Sequence, residues 1–282
     1  MSAPAFRVSD AQQRLIIEHY ERAAPLIAAN FPNAPLVAVY YPHDLEERPT
    51  YSGDWHNRLP ESVNAVHVET SSGKHVYPGC TENTILWLAH GYAVGIQSWT
   101  PSARDPESVG FARLLLRPVA GADELMLKEA LLAMRTALFS RGNGLEAIPM
   151  LDGPDAAALF VPLSDAPTYE AVRGWLHELV GHAIEKHPAL LVGERHPHQK
   201  FDTARIQCTF VSDAVGHSSA LPYSLSGPSD LPMVTPFEWD ELGAIEHGKF
   251  TAKTSAERLQ EGDVFAKLVA EIGSQRFADA VR

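Results

Sequence analysis

The sequence predicts a mixed α/β protein, and three observations support this fold class. Two stretches, residues 10–29 and 169–186, carry apolar side chains at helical spacing. Short β-rich runs, such as residues 206–211, alternate with the helices along the chain. The composition, with 45% hydrophobic and 21% charged residues, is ordinary for a globular protein, and 282 residues can bury a substantial core. This alternation indicates a mixed sheet packed against helices.

The first helix is predicted over residues 10–29. Ser9 is followed three residues later by Gln12, which is the pattern of a capping box, in which each of the two side chains accepts a backbone N–H of the other residue. Residues 36–41 (LVAVYY) then form a β-rich run that ends at a proline. We therefore expect the chain to begin with a helix followed by a strand.

A hairpin and a short helix complete the predicted N-terminal part. Residues 65–69 alternate in polarity, meet a Ser-Ser-Gly turn and continue in residues 74–77. Residues 81–90 are typical of a short buried helix. The loop that follows, residues 100–110, carries two prolines and three charges. We place the end of an N-terminal subdomain, residues 1–105, in this loop.

The rest of the chain predicts a mixed-sheet core over residues 106–243 and a helical extension over residues 244–282. The helix at residues 169–186 is amphipathic, with one apolar face for the core. The predicted strands are residues 111–116, 145–150, 157–163 and 206–211, and the predicted helices are residues 124–139, 169–186 and 263–281.

Charge and cysteine content restrict the function classes. The formal net charge of −12 opposes binding to a phosphate backbone, so a nucleic-acid site needs a local basic groove. Arg195, Lys200 and Arg205 form a modest basic patch, which a solvated loop explains equally well. Cys80 and Cys208 lie far apart and predict neither a disulfide framework nor a cysteine zinc site. The sequence shows no membrane span or signal peptide, so we expect a cytoplasmic protein.

Two histidine patterns resemble metal sites without predicting one. His177 and His182 are five residues apart, which places them about 140° apart around a helix, whereas a spacing of four would put both on one face. The histidines of residues 196–198 (HPH) have no carboxylate or thiolate at ligand spacing. We therefore expect no zinc site and no metal cofactor.

Three motifs in the C-terminal half resemble those of a known family. Residues 205–213 (RIQCTFVSD), 219–225 (SALPYSL) and 234–242 (VTPFEWDEL) occur in the order and spacing of the polymerase/primase domain of bacterial ATP-dependent DNA ligase D, a member of the archaeo-eukaryotic primase superfamily. Residues 84–90 (TILWLAH) are similar to a further helix of that family. The resemblance covers nearly the whole chain. It implies the primase-polymerase fold, with a mixed-sheet core and an N-terminal α/β subdomain.

The resemblance also implies a catalytic site that this sequence does not keep. Family members join nucleotides with two divalent ions held by three aspartates, since hard cations prefer carboxylate oxygens. Alignment on a shared proline places the first two aspartates at Leu115 and Arg117, and the third falls on Thr209. A phosphate-recognising histidine falls on Ala158, and a serine of the same segment falls on Asp152. The fixed charge of Arg117 opposes a metal ion at this position.

We therefore expect a catalytically inactive relative of the ligase D polymerase domain. In this interpretation the chain binds DNA ends or a repair partner in bacterial non-homologous end joining. Arg117, Arg205, Tyr223 and Ser224 are the residues that the resemblance leaves as contacts for a nucleotide or nucleic acid.

Two alternatives stay open. One is an active template-directed DNA or RNA nucleotidyltransferase whose Mn or Mg ions use relocated ligands, for which Asp152, Asp155 and Asp213 are the candidates. The other is a protein-binding module without a nucleic-acid role, which the acidic composition favours.

Overall fold

The computed structural model describes residues 8–42, 45, 48–55, 58–70, 73–99, 105–194, 200–211, 216–227 and 230–281. The chain divides into two compact units, each built from separate segments. The first unit comprises Met1–Glu107, Val215–Thr235 and Gly248–Asp263, and the second comprises Ser108–Ala214, Pro236–His247 and Val264–Arg282. The first segment of the first unit ends at Glu107, two residues after the boundary expected at residue 105. The sequence pattern does not predict the two later segments that return to the first unit.

In chain order the elements are α1 (Asp10–Asn30), β1 (Val37–Tyr40), β2 (Thr50–Ser52), β3 (Ala65–Thr70), β4 (Gly73–Pro78), α2 (Glu82–His90), β5 (Gly95–Ser98), β6 (Phe111–Val119), α3 (Glu124–Arg141), β7 (Ile148–Asp152), β8 (Ala156–Pro162), α4 (Tyr169–Lys186), β9 (Leu191–Val192), β10 (Arg205–Val211), β11 (Ser219–Ala220), β12 (Thr235–Pro236), a 3₁₀ turn (Trp239–Gly243), α5 (Ala256–Gln260), α6 (Val264–Ile272) and α7 (Phe277–Ala280).

The first unit packs α1 and α2 together beside two small sheets. The predicted capping box starts α1: the Ser9 N–H donates to the Gln12 side chain at 3.0 Å, and the Gln12 N–H donates to Ser9 Oγ at 3.3 Å. One sheet has the antiparallel order β11-β5-β1-β2, and β3 and β4 form the predicted hairpin. Because β11 comes from residues 219–220, this sheet is completed by a late segment of the chain.

The second unit is built on a sheet of order β12-β7-β8-β6-β10-β9, and α3 and α4 pack on it. The central strand β6 is antiparallel to both β8 and β10. Leu114 and Leu116 are buried, which indicates that they face the helices. Since side chains alternate along a strand, the residues between and after them point to the other side. We call this side, which carries Leu115, Arg117, Gln207 and Thr209, the open face.

The single C-terminal helix predicted over residues 263–281 is wrong. Helix α6 ends at Ile272, and Gly273 adopts a φ of +68°, a left-handed conformation that favours glycine and commonly terminates helices. A second short helix, α7, follows. Within the described residues, no helix combines the length and the apolar character needed to cross a membrane.

Candidate functional site

The strand register of the second unit brings three of the predicted site positions into one row. Thr209 on β10 lies opposite Leu115 on β6, and Leu115 lies opposite Ala158 on β8. Directly paired residues point to the same side of a sheet, so all three side chains share the open face. A row in which the resemblance places two aspartates and a histidine is therefore formed by leucine, threonine and alanine.

Arg117 lies one step further along the open face. It pairs with Gln207 on β10, and Asp152, at the end of β7, pairs with Ala156 on β8. Burial raises the pKa of the Asp152 carboxyl above its ordinary value, and the nearby charges of Arg117 and His247 lower it in part. The open face thus places one carboxyl within electrostatic range of the Arg117 guanidinium.

Arg205 adds a second guanidinium to the open face. It begins β10, two residues before Gln207, so strand alternation gives it the same orientation as Gln207 and Thr209. Arg205 pairs with Val119, which makes it the diagonal neighbour of Arg117 across the two strands. Its Nε atom is buried and has no hydrogen-bond acceptor among the described residues. An acceptor oxygen from a ligand would satisfy this donor.

The donor set of the open face does not fit a two-metal site. Leu115 and Arg117 offer no ligand atom, and the Thr209 hydroxyl is a weak ligand. Asp155 is exposed in the turn between β7 and β8, and Asp213 lies outside the described residues. In the part of the chain that the structure describes, no group of three or more His, Cys, Asp or Glu side chains could hold a metal ion.

His247 belongs to this region and was not identified from the sequence. Its Nε2 donates to the Ala156 carbonyl at 2.8 Å, which holds the ring beside Asp152. A carbonyl oxygen can only accept, so Nε2 carries a proton, while Nδ1 lies 3.6 Å from Glu124 Oε1. His247 follows the 3₁₀ turn in an irregular segment, where no periodicity indicates its direction.

Tyr223 and Ser224, expected to contact a nucleotide, lie in the interior of the first unit. Their exposed fractions are 1% and 0%. The Tyr223 hydroxyl donates to Asp263 Oδ1 at 2.9 Å, and Ser224 Oγ accepts the Ile96 N–H at 2.7 Å. The Tyr223 carbonyl accepts from His19 Nε2 at 2.8 Å. In this structure both hydroxyls join separate segments of the first unit and neither faces solvent.

The first unit also contains a cavity of about 690 Å³ that sequence reasoning missed. Its walls include Trp55 and Trp87, whose rings meet edge to face with centroids 5.3 Å apart. Tyr51 is 57% exposed at this cavity, and Arg58 is exposed beside it. We call this site the aromatic cavity; its lining is Tyr40, Pro42, Thr50, Tyr51, Ser52, Trp55, Arg58, Trp87, Leu88, His90 and Gly91. These residues are scattered over β1, β2, α2 and loops, so no local sequence pattern predicts that they line one cavity.

The other predicted patterns do not converge on either site. His177 packs edge-on against Phe210 with ring centroids 4.3 Å apart, whereas His182 lies beside Arg141. Of the remaining positions singled out from the sequence, Lys200 is exposed shortly before β10, and Arg195, His196 and His198 lie outside the described residues.

Comparisons with known proteins agree with the architecture. A family model for the LigD primase-polymerase domain matches residues 13–265. A solved structure, the polymerase domain of Mycobacterium tuberculosis ligase D in complex with DNA, matches with a TM-score of 0.79 and 15% sequence identity, over 96% of this chain and 97% of that chain. No curated protein sequence matched the chain. The family resemblance and the fold class predicted from the sequence are thereby confirmed.

Proposed function

Because the chain belongs to the LigD primase-polymerase family, we propose that it is a catalytically inactive member that binds DNA ends in bacterial non-homologous end joining. One observation carries this proposal. Arg117 stands on the open face at a position where the family resemblance places a metal-binding carboxylate, and Arg205 is its diagonal neighbour.

Loss of two-metal chemistry follows from the ligand types. Two metal ions require several carboxylate oxygens in one place, and Asp152 is the acidic side chain that the described part of the open face provides. Burial raises the pKa of that carboxyl, and the charges of Arg117 and His247 oppose this shift. The adjacent guanidinium of Arg117 repels a divalent cation.

The same groups suit a phosphate. Guanidinium groups donate in a fork that matches phosphate oxygens, and they stay charged at all physiological pH values. The aromatic cavity supplies a second contact type, because exposed aromatic rings stack on nucleobases without sequence preference. The Mycobacterium tuberculosis structure similar to this chain was solved with DNA, which is in keeping with a DNA-binding role here.

Fluorescence anisotropy with a labelled recessed-end duplex tests the binding. We expect Arg117→Ala and Arg205→Ala each to weaken binding by about 3- to 10-fold at roughly 50 mM salt, and the double variant to lower the salt slope by about 2. Arg22→Ala is the matched control, since Arg22 is an exposed arginine of α1 in the first unit. Absence of binding at low salt would remove the DNA role and favour the protein-binding module.

A primer-extension assay with Mn²⁺ or Mg²⁺ tests the loss of catalysis. We expect no extension by the unmodified protein. Extension that is abolished by Asp152→Asn, Asp155→Asn or Asp213→Asn would establish the alternative of a nucleotidyltransferase with relocated metal ligands. Extension unaffected by these changes would place the catalytic ligands elsewhere, and it would equally overturn the inactive assignment.

A further inference from the structure

A cleft of about 320 Å³ lies between the C-terminal halves of α3 and α4 in the second unit. Its floor is made of small side chains, and its rim is polar. We call it the α3–α4 cavity; its lining is Ala133, Thr136, Ala137, Ser140, Arg141, His182, Ala183, Lys186 and His187. The alanines let a ligand approach the helices closely, while the longer side chains can reach over it.

The charge of this cavity contrasts with that of the chain. Its lining contains Arg141, Lys186, His182 and His187, and none of the described lining residues is acidic. The whole protein carries a formal net charge of −12. Within the described residues, neither Arg141 nor Lys186 forms an ion pair. Their charges are therefore available to an anion.

The contact between Arg141 and His182 orients a further donor. Arg141 Nη2 lies 3.3 Å from His182 Nδ1. A guanidinium can only donate, so Nδ1 accepts and the imidazole proton resides on Nε2. The cavity thus offers a guanidinium, an ammonium and an imidazole N–H, all of which are hydrogen-bond donors.

Helix electrostatics explains only part of this arrangement. The C-terminal end of a helix is negative, which favours one cation in the last turn of α3 and one in the last turn of α4. This effect accounts for Arg141 and Lys186 taken singly. It does not account for His182, which lies five residues before the C-cap residue of α4, or for the cleft itself.

We propose that the α3–α4 cavity binds a phosphate dianion, either free phosphate or the phosphate of a monoester. Phosphate is small enough for the cleft and accepts hydrogen bonds on every oxygen, which matches a lining of donors. Phe139 gives the site a neighbouring apolar surface. It is 69% exposed and lies three residues from Thr136 on α3, so the two side chains are surface neighbours.

Titration with inorganic phosphate at constant ionic strength, followed by NMR, tests the site. We expect shifts at residues of the α3–α4 cavity in the unmodified protein, and an affinity about tenfold weaker in Arg141→Ala and in Lys186→Ala. Lys186→Ala leaves the contact between Arg141 and His182 in place, so it separates charge loss from local rearrangement. Lys253→Ala, an exposed lysine of the first unit, is the control. Equal affinity in all four proteins, or no saturable shift at roughly 10 mM phosphate, would overturn the proposal.

A second titration distinguishes the two sources of phosphate. Adenosine monophosphate that binds more tightly than inorganic phosphate, with the excess lost in Phe139→Ala, identifies a monoester with an aromatic group. Equal affinity for the two identifies free phosphate. Adenosine that binds as tightly as its monophosphate would contradict a phosphate site of either kind.

Discussion

Positions that the family resemblance singles out have different surroundings in the interior of the first unit and on the open face of the second unit. In the interior, Tyr223 and Ser224 are fully buried and hydrogen-bonded to distant segments. On the open face, Leu115, Arg117 and Thr209 stand where the resemblance places three aspartates. A family motif therefore contains two kinds of residue, those that hold the fold and those that serve the chemistry. In the interpretation drawn from the sequence, this chain keeps the residues that hold the fold and replaces those that serve the chemistry.

The largest effect that tests this contrast is on stability. The buried Tyr20 hydroxyl donates to the Val94 carbonyl at 2.7 Å and accepts the Leu225 N–H at 3.1 Å. Tyr20→Phe leaves both buried groups without this partner, so we expect the free energy of unfolding to fall by about 2–4 kcal/mol in urea titrations. Lys253→Ala, at an exposed lysine of the first unit, gives the control and should change stability by less than about 0.5 kcal/mol. Equal midpoints for the two variants would show that the interior network does not hold the unit together.

A somewhat smaller effect is the loss of folding stability at low pH that we expect from His19. Burial lowers the pKa of His19 to about 4, although the hydrogen bond to the Tyr223 carbonyl opposes this shift. The unfolded chain, with a pKa near 6.5, binds the proton first, so stability is full above about pH 6.5 and falls as the pH decreases towards 4.

Urea unfolding at two pH values measures this contribution. We expect His19 to account for a loss of about 2 kcal/mol between roughly pH 7.5 and pH 5. His19→Gln should flatten this part of the profile, since glutamine does not titrate. A variant that keeps the full pH dependence would assign the loss to other groups and would remove His19 from the comparison.

A smaller effect, on DNA binding, is expected from Asp152 on the open face. Its carboxyl lies within electrostatic range of Arg117 and reduces the positive potential of the open face. We expect Asp152→Asn to strengthen binding of a recessed-end duplex by about 2- to 3-fold in the anisotropy assay. Asp155→Asn, which removes an exposed turn charge, should have a smaller effect. Weaker binding in Asp152→Asn would mean that this carboxyl positions Arg117 for its ligand.

The smallest expected effect concerns the two thiols, one in each unit. Burial raises the pKa of Cys80 and of Cys208 to about 12, and the thiolate is the reactive form. We expect neither cysteine to react with Ellman's reagent in the folded protein and both to react in urea. Selective reaction of Cys208 would indicate that the second unit opens more readily than the first.

The sequence predicts the parts of the fold that depend on local pattern. The capping box at Ser9 starts α1, and apolar spacing predicts Tyr169–Lys186 as α4, as observed. The two-residue strands β9 and β11 are too short to show a periodicity of their own. They exist because a neighbouring strand pairs with them, and pairing is a property of the folded chain.

The candidate site likewise has a part that the sequence predicts and a part that it does not predict. Motif order indicates that Leu115, Arg117 and Thr209 belong together, and the register brings Leu115 and Thr209 into direct opposition, with Arg117 one step further along. The position of His247 and the aromatic cavity depend on contacts between segments far apart in sequence. A single sequence without such contacts gives no signal for them.

The discontinuity of the first unit has a consequence for the order in which the protein takes shape during synthesis. His19 and Tyr20 emerge early from the ribosome, yet their partners Ser255 and Ser224 follow more than 200 residues later. Contacts between such distant segments form slowly, because a long loop must close first. His19 and Tyr20 therefore lack these partners until Ser224 and Ser255 have been translated. The unit that is translated first is therefore completed only after most of the second unit, residues 108–214 and 236–247, has been made.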